Sequence, residues 1–414
     1  MLTKARETYY RFPKNFWVLM GSTLIDQIGS WMLFPFFALY ITDHFDVGMT
    51  EVGILMAIFA LTNLFGGFIG GAMTDKYGRK TMLLFGLVVS ALSSVTMAFV
   101  NDLQLFYLTA AIVGIVGSSG GPAQQAMIAD ILPEDKRIEG YGISRIVMNL
   151  AVTIGPIIGG FLASYSFLLL FIVDAVTSLI TAAIAAINLP ETKPEASPDK
   201  ESQSLLDTFK GYSTVIKDKP FIAFVFAFIL MNIVYMQMNS TMSVFLRDFH
   251  GISPQGFGYI LSLNAVIVVL FQLSVARKVA DKPPMLVIAF GIIFYMIGFG
   301  MYGFVSTFSL FAVGMVIITI GEIIVSPVAQ TIVVQFSPED MRGRYMGAFG
   351  LAWMVPMAIG PFAAGVIMDN YDANWVWYGG AILSAVAMLG FMLLHTSVNK
   401  RLSVTQEATP AAIN

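Results

Sequence analysis

The chain has 414 residues, of which 57% are apolar and only 12% charged, with a net charge of −3, no cysteine and three histidines. A soluble domain is nearer one-half apolar and one-quarter charged, so a water-soluble enzyme, a nucleic-acid binder and a disordered protein are excluded. The missing cysteines exclude a disulfide framework and thiol chemistry, and three scattered histidines offer no metal cluster, which leaves a polytopic membrane protein with no expected cofactor.

A bilayer core of roughly 30 Å needs about 20 apolar residues as helix. Twelve such stretches are predicted, near 16–41, 51–73, 82–100, 103–127, 141–164, 167–188, 220–246, 256–276, 284–305, 308–330, 345–368 and 375–396. A β-barrel would show alternating segments of about ten residues instead. The first stretch is too long for a signal peptide and lacks a small-residue cleavage site, so it is expected to be retained.

That first stretch carries Asp26 about ten residues from its start, roughly 15 Å deep at 1.5 Å per residue. Ser22, Thr23, Gln27 and Ser30 lie near it at helical spacing and form a polar stripe expected to face a cavity. Ionisable residues inside a bilayer are costly and mark functional sites by default. Asp26 is read as a proton or substrate site, or as half of a permanent ion pair with Arg145.

Between the second and third stretches stands Gly71-Ala-Met-Thr-Asp75-Lys76-Tyr-Gly78-Arg79-Lys80. A glycine allows tight helix packing, and an acid among basic residues can bond helix ends across a gate. The fourth stretch offers Ser118, Ser119, Gln124 and Gln125, and the fifth carries Arg145 and then Gly155-Pro156-Ile-Ile-Gly159-Gly160. Proline frees backbone groups and glycine lets helices approach closely, so a kink or a close contact is expected there. Asp174 in the sixth stretch is read as a helix-anchoring acid.

Residues 190–219 form the only long polar connection. Its second part has Leu205, Phe209, Tyr212 and Ile216 at spacings that suggest an amphipathic helix on the membrane surface. The predicted organisation is a six-helix bundle over 1–189, this linker, a second six-helix bundle over 220–396 and a tail over 397–414. The seventh stretch offers Asn232, Tyr235, Met236, Asn239 and Ser243 at spacings of three, one, three and four. In the tenth, Glu322 follows Gly321; desolvation favours the neutral form of a carboxyl, which suits proton loading.

Of the 23 Lys and Arg residues, 21 fall on one side of the twelve stretches, only Arg247 falls on the other, and Arg145 lies within one. The positive-inside rule then puts both termini in the cytoplasm of a cell-membrane protein. An offset of 205 residues aligns 122–160 with its second copy without gaps, giving eleven identities. Most fall on scarce residue types, such as Pro122 with Pro327, Arg137 with Arg342 and Gly155-Pro156 with Gly360-Pro361. Both copies present the same face to the cytoplasm, so the halves are parallel repeats, a transporter architecture with its site near the midplane.

The Gly71–Lys80 segment resembles the cytoplasmic signature of the major facilitator superfamily, and twelve spans in a 6+6 repeat extend the resemblance over the whole chain. The resemblance implies that Asp75 and Arg79 hold an outward-facing state through a charge network with Asp130 and Arg137. It implies that spans one, four, seven and ten line a central cavity around which residues 1–190 and 220–400 rock. Gly155 to Gly160 resembles the fifth-helix signature of the antiporters, associated with export, and Gly321-Glu322 resembles drug-exporter relatives. The fourth stretch departs from the family in lacking a basic residue, a place Arg145 is expected to take. A Phe-, Met- and Leu-rich cavity with few fixed donors and one or two acids fits lipophilic or cationic solutes better than sugars. The expected protein is a proton-coupled drug antiporter acting as a monomer, with protons, a small-molecule substrate and the lipid bilayer as its partners. Another cargo (a lipid, siderophore, peptide or sugar) and a non-transporting sensor are the alternatives.

Overall fold

The computed structural model describes residues 9–193, 213–338 and 341–407. Among them all regular structure is helical, and twelve helices are long and apolar enough to cross a membrane. These are span 1 (Lys14–Phe45), span 2 (Met49–Tyr77), span 3 (Arg79–Phe99), span 4 (Leu103–Ile131), span 5 (Glu139–Ala163) and span 6 (Phe167–Asn188). Then come span 7 (Lys219–Asn239), span 8 (Pro254–Val279), span 9 (Pro284–Tyr302), span 10 (Phe308–Val333), span 11 (Arg344–Asn370) and span 12 (Trp375–Val398). Span 2 outruns the expected 51–73 at both ends. Hydropathy marks only the residues matched to hydrocarbon, whereas helical hydrogen bonding continues until a cap or breaker intervenes. The caps are side chains that the sequence supplies. Asp102, Ser166 and Asp218 accept the N–H groups of Leu105, Leu168 and Phe221 at the starts of spans 4, 6 and 7.

The chain forms two compact units. The first comprises Met1–Val47, Ile54–Lys200 and Ile252–Ser262; the second comprises Gly48–Gly53, Glu201–Gly251 and Leu263–Asn414. Two short stretches belong to a different unit from their chain neighbours on either side. Gly48–Gly53 joins the second unit because the Asp369 carboxylate, at the end of span 11, accepts the Met49 and Thr50 N–H groups at 2.9 and 2.7 Å. Ile252–Ser262 joins the first because Gly258 lies against Gly160, where a Cβ would stand 2.8 Å from the Gly258 Cα.

In the first unit span 1 packs on spans 5 and 6, and span 3 on spans 4 and 6. In the second, span 7 packs on spans 11 and 12, and span 9 on spans 10 and 12. The second pattern is the first advanced by six helices, as a parallel repeat requires. The leading helix of each unit also breaks in the same region, into 3-10 turns at Phe34–Phe36 and Gln237–Asn239. Pro35 explains the first break. The second has no proline; there the Thr241 hydroxyl donates to the Gln237 side chain at 2.5 Å and the Ser240 hydroxyl to the Met236 carbonyl at 2.9 Å. These bonds compete with regular helix pairing.

Close approach depends on glycine in span 5. A Cβ on Gly155 would stand 2.7 Å from the Trp31 carbonyl carbon, and one on Gly159 would overlap the Met32 carbonyl oxygen. Pro156 lies between them inside the helix. Gly360 is looser, with the Gln237 side chain 3.0 Å from its Cβ position, and Pro361 follows it inside span 11. Leu205, Phe209 and Tyr212 of the expected surface helix lie outside the described residues; residues 213–217 are helical.

Candidate functional site

The polar stripe of span 1 divides between two neighbourhoods. One helical residue turns about 100°, so residues four apart share a face and adjacent ones do not. Thr23 and Gln27 face a cavity of about 260 Å³ that they line with Gln124, Gln125, Tyr141, Ser144, Arg145 and Met148. The Gln124 amide donates to the Thr23 hydroxyl at 3.0 Å. Ser22 and Asp26, one turn apart, instead meet span 6. The Ser178 hydroxyl donates to Asp26 Oδ1 at 2.8 Å, and the Thr181 hydroxyl donates to the Ser22 carbonyl at 2.9 Å. Asp26 and Arg145 form no ion pair in the structure; Asp26 is bonded to hydroxyl and amide groups alone, Gln27 Nε2 reaching Oδ2 at 3.4 Å. Ser30 donates to the Asp26 carbonyl at 3.4 Å.

The second unit has its own acid, in a different setting. Glu322 lines a cavity of about 200 Å³ with Phe228, Met231, Asn232, Tyr235, Tyr295, Phe349 and Trp353 among its neighbours. The Tyr235 hydroxyl donates to Glu322 Oε1 at 3.0 Å and the Asn264 amide donates to Oε2 at 2.7 Å. Asn264 also reaches the Thr319 hydroxyl at 3.0 Å, one turn before Glu322. The Tyr235 ring lies 5.9 Å from Tyr295 and meets Trp353 edge-on at 6.3 Å. Asn232 donates to the Ala352 carbonyl at 2.6 Å and so ties span 7 to span 11. Met236 and Asn239 do not line this cavity. Asn239 falls in the 3-10 turn that ends span 7.

The loop joining spans 2 and 3 holds a compact charge network. Arg79 pairs with Asp75 at 3.1 Å and with Asp130 of span 4 at 3.0 Å, and it also donates to the Thr74 carbonyl at 3.2 Å. Arg137 stands apart from these carboxylates, its Nε donating at 3.0 Å to the Ala129 carbonyl near the end of span 4. Lys76 sits 5.1 Å from the Tyr77 ring, and the Lys80 ammonium donates to the Ala186 carbonyl at 2.7 Å. Gly78 has a φ of 105°, a conformation that favours glycine, and a Cβ there would overlap the Glu191 carboxylate. Glu191 accepts the N–H groups of Arg79, Lys80 and Thr81, the first turn of span 3, at 2.7, 3.2 and 3.5 Å. Partial burial pushes its carboxyl up, but the amides of Arg79, Lys193, Lys80 and Thr81 outweigh burial and hold it below the ordinary glutamate value. Gly71 has nothing within 4 Å of its Cβ position.

Among the described residues no three His, Asp or Glu side chains gather into one group. The chemistry available is that of carboxyls, hydroxyls and amides inside apolar helices, which suits binding and release better than bond making.

The model of the Major Facilitator Superfamily matches residues 19–361 and again 287–413. The chain belongs to that superfamily. It is 29% identical over 395 residues to a Na(+), Li(+), K(+)/H(+) antiporter of Planococcus maritimus, covering 88% of this chain and 91% of the relative. It is 24% identical to the class H tetracycline resistance protein of Pasteurella multocida, covering 91% and 95% respectively. A crystal structure of a POT family transporter with 5-aminolevulinic acid superposes with a TM-score of 0.78 at 14% identity, over 93% of this chain and 97% of that one. This member of the superfamily is therefore a multi-pass membrane transporter and not an enzyme.

Several residues of the transporter's two sites escaped the sequence reading. Asn264 is a lone amide in an apolar run, and a lone amide in a span is a usable signal. Glu191 was hidden by composition, since the Pro- and Glu-rich stretch after span 6 reads as linker. Tyr295 and Trp353 carry no distinguishing pattern among 34 Phe, 15 Tyr and 5 Trp.

Proposed function

We propose that the protein is a proton-coupled exporter of lipophilic or cationic small molecules that works by alternating access in the cell membrane, with both termini cytoplasmic. The observation that carries this reading is the Glu322 carboxyl at the wall of an aromatic cavity. Its two donors, Tyr235 and Asn264, are neutral, so they orient the carboxyl without cancelling its charge. A carboxyl held that way exchanges a proton for a cationic ligand, and the surrounding Phe, Tyr, Trp and Met surfaces accept flat apolar groups. Asp26 is the second proton-exchanging acid, Arg145 supplies the positive charge that span 4 lacks, and the Arg79 network is the cytoplasmic gate. A tetracycline resistance protein and a cation/proton antiporter among the relatives support export by exchange. No partner chain is needed for this cycle.

The test is efflux of a fluorescent lipophilic cation from cells, and its uptake into everted vesicles, in Na+-free choline buffer. Glu322→Gln and Asp26→Asn are expected to abolish transport driven by a proton gradient while the protein stays folded. Wild-type transport by Glu322→Gln would end this reading. A second reading, an alkali-metal cation as cargo, is favoured by the name of the Planococcus maritimus relative.

A further inference from the structure

Spans 1, 3 and 6 enclose a cluster of oxygen atoms that lies apart from both cavities. Asp174 and Ser178 stand one turn apart on span 6, and Ser90 and Ser94 one turn apart on span 3. They form two rungs. In one, the Ser178 hydroxyl bonds Asp26 Oδ1 at 2.8 Å and approaches the Ser90 hydroxyl at 3.4 Å. In the other, the Ser94 hydroxyl donates to Asp174 Oδ2. Asp174 Oδ1 points at span 1, where it stands 3.0 Å from the position a Cβ would take on Gly29. Asp174 is only 4% exposed, yet this oxygen accepts no hydrogen bond. Ser178 is 0% and Ser94 6% exposed. Two further hydroxyls lie close by: Thr177 donates to the Asp174 carbonyl at 2.8 Å and Ser30 to the Asp26 carbonyl at 3.4 Å.

We infer that this cluster binds a dehydrated alkali-metal cation, Na+ or Li+, through Asp174 Oδ1, the Asp26 carboxylate and the surrounding serine hydroxyls. A buried Asp174 carboxylate beside the half-buried Asp26 carboxylate is disfavoured when both are ionised without a counter-charge, and no Lys or Arg of the described residues pairs with either. A cation supplies that charge and the missing contact to Oδ1 together. Every ligand offered is a hard oxygen, which suits alkali and alkaline-earth ions and not transition metals. A divalent ion such as Mg2+ keeps several waters in its shell, and the close packing of span 1 on Asp174 at Gly29 favours a dehydrated alkali ion instead. Span 1 packs closely on span 6 here, since a Cβ on Gly29 would overlap the Thr177 hydroxyl, and this favours a bare ion over an organic cation. Binding of the ion stands on this geometry alone; only its exchange for protons rests on the antiport reading.

The experiment is ²²Na+ binding to the purified full-length protein at about pH 8 in choline-balanced buffer, with size-exclusion profiles as a check on folding. The wild type is expected to give a saturable signal displaced by NaCl and LiCl but not by choline chloride. Asp174→Asn should weaken binding at least tenfold and Ser94→Ala several-fold, whereas Glu322→Gln, in the other unit, should bind as the wild type does. No displaceable signal from the wild type would overturn the proposal and leave the two carboxyls sharing a proton. Wild-type affinity in Ser94→Ala and Asp174→Asn would overturn it equally, and Ser94→Ala decides if Asp174→Asn fails to fold. Because the efflux assay contains no Na+, a wild type that binds ²²Na+ but shows no proton-driven transport condemns only the drug-exchange reading. Retained transport without ²²Na+ binding condemns only this one.

Discussion

The two units bury acids in opposite ways. In the first, Asp26 and Asp174 sit among Ser90, Ser94 and Ser178, bonded to hydroxyl groups between spans 1, 3 and 6. In the second, a single acid, Glu322, sits at the edge of an aromatic cavity and takes its bonds from a phenol and an amide. The helix contacts around them follow the same repeat, so the difference lies in side chains alone. A repeated scaffold can therefore hold two chemistries, one scaled to a small hard cation and one to a flat or flexible organic molecule.

Four experiments, using five substitutions, test that contrast in decreasing order of expected effect. Glu322→Gln should reduce proton-driven efflux to background, at least 100-fold, while Asp174→Asn should leave lipophilic-cation binding to the purified protein within twofold of wild type. Equal loss of that binding in both would erase the distinction between the sites. Tyr235→Phe keeps the ring and removes one donor to the carboxylate. A hydrogen bond to a charged group contributes about 1.5–3 kcal/mol, so efflux should fall roughly 10- to 100-fold, and an unchanged rate would show that the phenol does not orient Glu322. Ser178→Ala removes the donor to Asp26 and should cost about 1–2 kcal/mol of stability in choline buffer. Its melting temperature should respond more weakly to NaCl than that of the wild type. Glu191→Gln, far from both acids, should cost about 1 kcal/mol, the worth of a helix N-terminal cap, with no effect on ²²Na+ binding.

The Glu191 clasp also has a pH signature. Its folded value lies below the ordinary 4.5, so its contribution is complete above about pH 4.5 and is lost as pH falls through the lower folded value. Melting curves of wild type and Glu191→Gln should therefore differ by a constant amount at neutral pH and converge in acid. A difference that grows on acidification would reverse the assignment.

Much of the architecture was legible in the sequence because it depends on local chemistry. Hydropathy marks a helix wherever about 20 residues can face hydrocarbon. Capping needs only a side chain within a turn, as at Asp102 and Asp218. Pro35 breaks span 1 by its own ring. The site was legible in part. Asp26, Arg145 and Glu322 stand out as charges among apolar residues, and the gate residues Asp75, Arg79 and Asp130 do come together. Their neighbours were not legible, because a hydrogen bond between Asn264 and Glu322 spans 58 residues and one between Ser178 and Asp26 spans 152.

By itself the sequence determined that this protein has twelve helices able to cross a membrane, the side chains that cap several of them, and which few charges lie inside. Those follow from solvation and local backbone geometry. Only the tertiary structure decided which way each charge faces. A turn of one residue carries Gln27 into a cavity and Asp26 against span 6, and that choice is made by the packing of span 1 on spans 5 and 6, through contacts such as Gly155 on Trp31 and Gly29 on Asp174. Helix rotation depends on how remote side chains interlock, and no local pattern encodes it.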